Sequence, residues 1–137
     1  MNYWLVKSEP FKYSWEQFKK DKQTMWDGVR NYTARNNLRT MKKGDFVLFY
    51  HSNEGLEVVG IARVQKEHYL DPTFEGDTWS VVDLKVYKEL KQPVSLTTIK
   101  QNKNLEQMQL VRQSRLSVSA LREKEFYEIL KLAETEI

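Results

Sequence analysis

The stretch GDFVLFYHSNEGLEVVGIARVQKE, residues 44–67, decides the fold. Its run FVLFY (Phe46–Tyr50) is apolar throughout, which predicts a central strand covered on both faces of a sheet. The polar segment HSNEG (His51–Gly55) is typical of a turn, so Leu56–Glu67 is expected to pair back on the first strand as a hairpin. Gly60 within that second strand indicates either a bulge or a close approach of another part of the chain.

Further strand patterns lie on both sides of this hairpin. The alternation of Val82, Leu84 and Val86 with polar residues is typical of a half-buried strand. The segments expected to form strands are Tyr3–Ser8, Thr24–Val29, Ser80–Leu90 and the end of the loop Leu110–Val118. Hairpin connections between neighbouring strands favour a small mixed sheet that is mostly antiparallel and curls toward a barrel.

Helix patterns fall between the strands and after them. Ser14 is expected to cap one helix, with Gln17 as its capping-box partner, and Asn31 to cap a second helix that ends at about Met41. A short helix is expected over Ser95–Leu105, and Ser119 is expected to cap a C-terminal helix. Helices packed against the curled sheet give an α+β fold.

The 137 residues suit a single domain, residues 1–137. The chain has no cysteine, which excludes disulfides, thiolate metal sites and cysteine nucleophiles. No signal-peptide pattern is present, and no segment approaches the ~20 apolar residues of a membrane span, so we expect a cytoplasmic protein with no membrane partner. We expect neither a metal nor a cofactor, and we expect a monomer, although the oligomeric state does not follow from the sequence.

Positive charge is concentrated near the N-terminus. The formal net charge of the chain is +3, but residues 1–43 carry 10 Lys and Arg against 4 Asp and Glu, a net charge of +6. Residues 44–137 carry 12 against 15, a net charge of −3. A basic segment in an otherwise acidic chain points to a polyanionic partner, with nucleic acid first, although solubility alone is an alternative explanation.

Four polar clusters interrupt the apolar scaffold. They are KSEP (Lys7–Pro10), WDGVRNYTARNNLR (Trp26–Arg39), the end of FVLFYHSN (Phe46–Asn53) and RQSRLSV (Arg112–Val118). Each cluster has a structural interpretation as a strand end, a solvated helix face or surface charge. Each also has a functional interpretation, in which donors and acceptors point into a cleft and contact phosphates or base edges.

Arg30 is unusual because it immediately precedes a helix, where a cation costs ~0.3–1 kcal/mol against the helix dipole. Two explanations stay open. A bound anion could complete the site, since helix N-termini and arginine both bind phosphate. Alternatively, the arginine lies along Trp26 with its charged end in water. Trp26 and Trp79 adjoin polar turns and are the candidates for stacking on a planar ligand.

The sequence contains no convincing catalytic machinery. Neither a G-x-S-x-G motif nor a phosphate-binding glycine loop is present, and His51 has no second histidine at metal-ligand spacing. A triad of Ser8, His51 and Glu9 is unfavourable because adjacent residues on a strand point to opposite faces. We therefore expect a protein that is not an enzyme.

Six motifs, in this order, resemble those of the EVE domain family within the PUA-like superfamily. They are WLVKSEP, WDGVRNYTARNNLR, GDFVLFYHSN, VVGIARVQKEHYLDPT, VVDLKV and RQSRLSV, and the resemblance runs from Tyr3 to about Leu132. The family is similar to the YTH domains, which read N6-methyladenine in RNA. The resemblance implies a PUA-like fold, a small and strongly bent β-barrel surrounded by helices.

The resemblance also implies a pocket for a modified nucleobase, such as modified cytosine or adenine in DNA or RNA. Trp26 would be an aromatic wall of that pocket, and Asp71 with Pro72 would belong to a loop at its rim. The base- and nucleotide-binding residues implied are Lys7, Ser8, Glu9, Trp26, Arg30, Asn31, Tyr32, Tyr50, His51, Ser52, Arg112, Ser114 and Arg115.

Two other functions stay open beside a reader of modified bases. The first is an enzyme acting on a modified base or nucleotide, with Glu9, His51 or Asp71 as acid or base. The second is a small-molecule sensor whose pocket accepts flat rings. Turnover of nucleosides would favour the enzyme, and the absence of salt-dependent oligonucleotide binding would favour the sensor.

Overall fold

A computed structural model describes all 137 residues, Met1–Ile137. The strands are β1 (Tyr3–Ser8), β2 (Gln23–Trp26), β3 (Phe46–His51), β4 (Glu57–Leu70), β5 (Ser80–Ser95) and β6 (Val118–Leu121). The helices are α1 (Trp15–Asp21), α2 (Tyr32–Thr40), α3 (Leu96–Lys100), α4 (Gln109–Arg112) and α5 (Glu123–Leu132), with a 3₁₀ turn at Lys103–Leu105. None of the helices combines the length and the apolar character that crossing a bilayer requires.

The six strands form one mixed sheet in the order β2-β5-β4-β3-β1-β6. Only β1 and β3 run parallel, and the other neighbouring strands are antiparallel, which confirms the expected mixed sheet. The sheet does not close, because β2 and β6 each have a single neighbour. The expected barrel is therefore replaced by an open sheet, and α2, which contacts both β5 and β6, packs beside it.

Strand β3 is the central strand that its apolar run predicts. All five residues of the run are buried, and β3 lies between β1 and β4. Phe46, Leu48 and Tyr50 point into one apolar layer, and Val47 with Phe49 point into the other. The first layer contains the side chains from α5, and the second contains those from α1 and α2. A strand covered on both faces in this way is apolar over the covered stretch, and β3 becomes polar only at its last residue, His51.

Gly60 in β4 has both features that the sequence leaves open. The pairing register with β3 and β5 shifts next to it, as in a bulge. The indole of Trp15 also packs directly over its backbone, and a β-carbon added at Gly60 would overlap that ring. The glycine is therefore required for α1 to approach the sheet closely.

Two predicted helix caps are confirmed. The Ser14 hydroxyl accepts a hydrogen bond from the backbone N–H of Gln17 at 3.0 Å, and the Asn31 side chain accepts one from Ala34 at 2.9 Å. Gln17 itself donates its side-chain amide to Asp21 at 2.9 Å, so the capping box is not reciprocal. Both caps satisfy backbone donors that the first helical turn leaves without partners.

The expected start of the C-terminal helix is wrong. Ser119 lies within β6, opposite Leu5 of β1, and is buried. The helix begins four residues later at Glu123, where the Glu125 carboxylate accepts a hydrogen bond from the backbone N–H of Arg122 at 2.8 Å. The segment around Ser119 therefore pairs with β1 as a strand, and Ser119 does not cap the helix.

Candidate nucleic-acid interface

A cavity of about 990 Å³ opens at one end of the sheet. Because β1 and β3 are parallel, the last residues of both strands meet at this end, with Lys7 opposite Tyr50 and Ser8 opposite His51. The end of β2 and the turn before α2 form a second wall, and the loop that leads into antiparallel β6 forms a third. All four polar clusters of the sequence therefore contribute residues to this one site, the second of them through the β2–α2 turn.

Nine of the thirteen residues that the sequence singles out line this cavity. They are Lys7, Ser8, Glu9, Trp26, Arg30, Tyr50, Ser52, Ser114 and Arg115. These positions are up to 108 residues apart in the chain and are brought together by the strand order.

The other four residues lie outside the cavity, and each has a local reason. His51 alternates away from Tyr50 on β3, and its Nε2 accepts a hydrogen bond from the backbone N–H of Trp15 at 3.0 Å. Tyr32 stacks on Trp79 with ring centroids 5.2 Å apart and is 61% exposed. Asn31 and Arg112 line a separate groove that adjoins the cavity.

Three aromatic residues contribute to the cavity wall: Tyr13, Trp26 and Tyr50. Trp26 packs edge-on against Phe49 at 5.6 Å and is only 8% exposed, so it offers a narrow part of its ring to a ligand. Burial raises the pKa of Tyr13 to about 12, and its hydroxyl donates to Asp21 at 2.9 Å. Burial also raises the pKa of Tyr50, whose hydroxyl has no hydrogen-bond partner in the protein. The Tyr50 hydroxyl is therefore available to a ligand.

Lys7 ties two walls of the cavity together. Its ammonium group donates to the backbone carbonyl of Ser114 at 2.7 Å, and its backbone N–H donates to the carbonyl of Ser117 at 2.9 Å. Burial lowers the pKa of Lys7, because a half-buried ammonium loses part of its hydration. The neighbouring Glu9 carboxylate accepts a hydrogen bond from Asn53 at 2.8 Å and pairs with Lys12 at 3.2 Å.

Arg30 faces a protein carboxylate instead of an exogenous anion. Its guanidinium donates to Asp71 at 2.9 Å, and it also lies 5.3 Å from the ring centroid of Phe74 and 5.7 Å from that of Trp79. The explanation by a bound anion is therefore unnecessary, and packing along Trp26 is replaced by contacts with Phe74 and Trp79. Arg30 still lines the cavity from one side.

Asp71 is buried beneath Arg30, so it does not rim the cavity, and Pro72 does not line it either. Burial on its own would raise the pKa of the Asp71 carboxyl. Hydrogen bonds from Thr73, from Arg30 and from the backbone N–H of Gly28 outweigh burial and hold that pKa below its usual value. The loop after β4 is thereby fastened to the turn before α2.

Trp79 also lies outside the cavity, contrary to the expectation that it stacks on a ligand there. One face of its ring system packs on Tyr32, and Arg35 lies 4.9 Å from the ring centroid of Tyr32. The guanidinium of Arg35 donates to the carbonyl of Thr78 at 3.2 Å. These aromatic and guanidinium groups fasten the loop that precedes β5 onto α2.

The groups considered for acid–base chemistry are each bonded to another part of the protein. His51 caps α1, Asp71 pairs with Arg30, and the Glu9 carboxylate is occupied by Asn53 and Lys12. Burial lowers the pKa of His51, against the opposing charges of Glu57 and Glu16. No group of three or more His, Asp or Glu side chains is placed to hold a metal ion.

Several lining residues were missed at the sequence level. Lys12 and Tyr13 come from the β1–α1 loop, and Asn53 and Ser117 adjoin residues that the motifs singled out. Loop residues carry function disproportionately when a rigid scaffold positions them.

The model of the EVE domain matches residues 2–132 of the chain. The chain belongs to the EVE domain family. The resemblance drawn from the six motifs is confirmed by this match over nearly the whole length.

Relatives in animals and bacteria agree with this assignment. Thymocyte nuclear protein 1 of Mus musculus is 39% identical over 169 aligned residues, which cover 98% of this chain and 75% of the mouse protein. A crystal structure of a protein from Agrobacterium tumefaciens is 50% identical, with a TM-score of 0.95 and coverage of 98% of this chain and 94% of that chain.

Two further structures were solved with nucleic acid. Human THYN1 protein, in complex with DNA containing 5-methylcytosine, is 33% identical with a TM-score of 0.91 and covers 100% of both chains. The YTH domain of the Zygosaccharomyces rouxii MRB1 protein, in complex with N6-methyladenosine RNA, is 16% identical with a TM-score of 0.62 over 98% of this chain and 88% of that chain. The second likeness is one of fold alone, and it confirms the expected similarity to YTH domains.

Proposed function

We propose that this EVE domain is a non-catalytic reader, which holds a modified base of DNA or RNA in the cavity at the end of β1 and β3. The observation that carries the proposal is the composition of that cavity. Its walls combine the aromatic rings of Tyr13, Trp26 and Tyr50 with the cations Lys7 and Arg115. Tyr13 is the least buried of the three rings and is the one placed to stack on a base, at ~1–3 kcal/mol per base, while the cations attract the phosphates to which the base is attached.

The size of the cavity supports a ligand of this class. Its volume of about 990 Å³ lies at the upper end of the ~300–1,000 Å³ typical of small-molecule sites. Polar groups at the wall, among them the Tyr50 hydroxyl and Ser52, provide contacts to a base edge. Such edge contacts carry sequence and modification specificity, whereas phosphate contacts position the chain.

The relatives support the same assignment. The human THYN1 structure was solved with DNA that contains 5-methylcytosine, and its likeness to this chain extends over the whole length. We infer from the family that the chain acts as one domain and that its open, bent sheet is of the PUA-like type. Register shifts along β4 and β5 support the bend, since bulges increase the local twist of a strand.

Fluorescence anisotropy with labelled oligonucleotides tests the proposal. Pairs of DNA and RNA probes, identical except for 5-methylcytosine or N6-methyladenine, should include at least one pair in which the modified member binds more tightly. Ser52→Trp places an indole in the cavity and should abolish that preference while salt-dependent binding persists. Gln92→Trp adds the same side chain on β5, outside the cavity, and should preserve the preference.

Two results would overturn the proposal. One is equal affinity for every modified probe and its unmodified partner. The other is a preference that survives Ser52→Trp unchanged, since the base would then be bound elsewhere. Conversion of a modified nucleoside to a product, followed by mass spectrometry, would instead indicate an enzyme.

A further inference from the structure

A second, polar groove of about 650 Å³ adjoins the base cavity. It runs between the start of α2 and the segment of α4 that leads into β6. Ser114 and Arg115 line both the cavity and the groove, so the two spaces share one wall. A chain whose base occupies the cavity can therefore continue directly into the groove.

The charge of the groove has a single sign. Of its eight lining residues only Arg112 and Arg115 are charged, and no carboxylate is among them. The remaining lining includes hydroxyl and amide groups, and Leu116 is the one hydrophobic member. A groove with two cations, neutral donors and no anion is suited to an anionic ligand that spans several ångströms.

The guanidinium groups of Arg112 and Arg115 make few hydrogen bonds within the protein. Arg115 forms no hydrogen bond and no ion pair in the structure. Arg112 uses only its Nε, which donates to the carbonyl of Glu106 at 2.9 Å. Arg30, by contrast, is occupied by Asp71 and by Phe74. Of the arginines that the sequence singled out for an anionic backbone, Arg112 and Arg115 are therefore the two available for that role.

A backbone donor adds to the same groove. Asn31 and Thr33 line it at the start of α2, and the backbone N–H of Thr33 has no partner in the protein. First-turn N–H groups of a helix contribute partial positive charge, which complements the arginines. The groove thus offers several kinds of donor to phosphate oxygens.

We propose that this groove holds the phosphodiester backbone beside the bound base, with Arg112 and Arg115 each contacting a phosphate. This inference rests on the proposed function, because the base cavity determines where the backbone enters. Arg115, at the shared wall, contacts the phosphate nearer the base, and Arg112 contacts the next one along the groove. These contacts are independent of base identity.

The salt dependence of binding tests the groove. Loss of one phosphate contact reduces the slope of log Kobs against log salt by about 0.9 for duplex DNA or about 0.7 for a single strand. Arg112→Ala should therefore lower the slope by that amount and weaken binding about five- to eightfold at ~0.1 M salt. The loss should be equal for a DNA probe with 5-methylcytosine and for its unmodified partner, and affinity for free 5-methylcytidine should not change.

A second variant avoids the loss of the Arg112 contact with Glu106. Gln113→Glu introduces a negative charge into the groove at an exposed position whose side chain makes no hydrogen bond. It should weaken binding of both DNA probes and leave the free nucleoside unaffected. Lys124→Ala and Gln92→Glu make the same changes of charge outside both the cavity and the groove, and they should retain the wild-type slope.

The outcomes separate this inference from the proposed function. Unchanged slopes for Arg112→Ala and Gln113→Glu would overturn the proposal that the groove binds the phosphodiester backbone, whatever the base preference. An equal loss of affinity for the free nucleoside also overturns it, because the residues would then act on the base. If the wild-type protein binds both probes equally but the variants lower the slope, the groove stands and the modified-base function fails. Failure of the wild-type protein to bind any probe rejects both.

Discussion

The guanidinium of Arg30 and the carboxylate of Asp71 lie 2.9 Å apart, with the carboxylate fully buried and the guanidinium side chain 38% exposed. Thr73 donates both its backbone N–H, at 2.8 Å, and its hydroxyl, at 2.5 Å, to the same carboxylate. Arg30 precedes α2 and Asp71 follows β4, so the pair fastens one wall of the cavity to the sheet. A cation before a helix is thus explained by a carboxylate that the sequence places 41 residues away.

Arg30→Ala is expected to destabilise the fold by about 1–3 kcal/mol, because it leaves a buried carboxylate without its cation. Urea unfolding followed by intrinsic tryptophan fluorescence measures the change. Arg115→Ala also removes an arginine from the cavity wall but breaks no hydrogen bond or ion pair, so its effect should stay within about 0.5 kcal/mol. Equal stability losses in the two variants would contradict a structural role for Arg30.

His51 is expected to make stability depend on pH. Burial lowers its pKa in the folded protein, whereas an unfolded histidine titrates near ~6.5. As the pH falls below that value, the unfolded chain binds a proton that the folded chain resists, so the free energy of unfolding decreases. Unfolding curves between about pH 7.5 and about pH 5.5 should show this loss.

Two histidine variants isolate that effect. His51→Ala should lose about 0.5–2 kcal/mol near neutral pH, as expected for a helix cap, and should show a weaker decline on acidification. His68→Ala removes the other histidine, which is exposed on β4, and should retain the wild-type decline. Identical pH dependence in wild type and His51→Ala would refute the assignment.

Gly60→Ala is expected to destabilise the protein by about 1–3 kcal/mol, since the added methyl group overlaps the indole of Trp15. A double-mutant cycle with Trp15→Leu tests the cause. The smaller side chain makes room for the methyl group, so the two losses should sum to more than the loss in the double variant. Strict additivity would mean that the cost arises from the strand backbone.

Tyr50→Phe removes a cavity hydroxyl that has no partner within the protein. Stability should therefore be unchanged, while affinity for the preferred modified probe should fall about two- to twelvefold, the value of one hydrogen bond. Tyr87→Phe is the matched control, because Tyr87 is 40% exposed on β5 and lies outside the cavity. A Tyr50→Phe protein with full affinity would exclude the hydroxyl from recognition.

Trp26→Ala is a poor probe of base stacking, although the sequence makes it an obvious choice. The residue belongs to the second apolar layer, and large-to-small substitutions of buried aromatics cost about 3–5 kcal/mol. Loss of binding in that variant would follow from unfolding alone. Thermal unfolding by circular dichroism should show a much lower midpoint than for Tyr50→Phe.

Local patterns predicted most of the elements because their causes are local. The apolar run of β3 and the Asn31 cap of α2 each depend on residues within a few positions of one another. The start of α5 was missed because Ser119 has a non-local partner. Its strand partner, Leu5, lies 114 residues away in the chain, and the capping propensity of serine does not predict that pairing.

The site was predicted in part for the same reason. Residues at the ends of β1 and β3 were found because their polar clusters interrupt apolar strands, and parallel pairing joins them. The surroundings of Arg30 and Trp79 were predicted wrongly because the loop between β4 and β5, which contains Asp71, Phe74 and Trp79, folds onto Arg30 and the start of α2. No short-range pattern specifies where a loop of that length will lie.

The cavity touches both sides of the sheet at once. Tyr50 and Leu110 belong to the first apolar layer, Trp26 and Val29 belong to the second, and all four line the same space. A ligand bound there contacts both apolar layers, so unfolding of either layer would abolish its binding. Each tenfold rise of ligand concentration above Kd then adds about 1.4 kcal/mol to the free energy of unfolding of the whole domain. A rise in the melting temperature of the unlabelled protein can therefore be used to screen for its natural ligand.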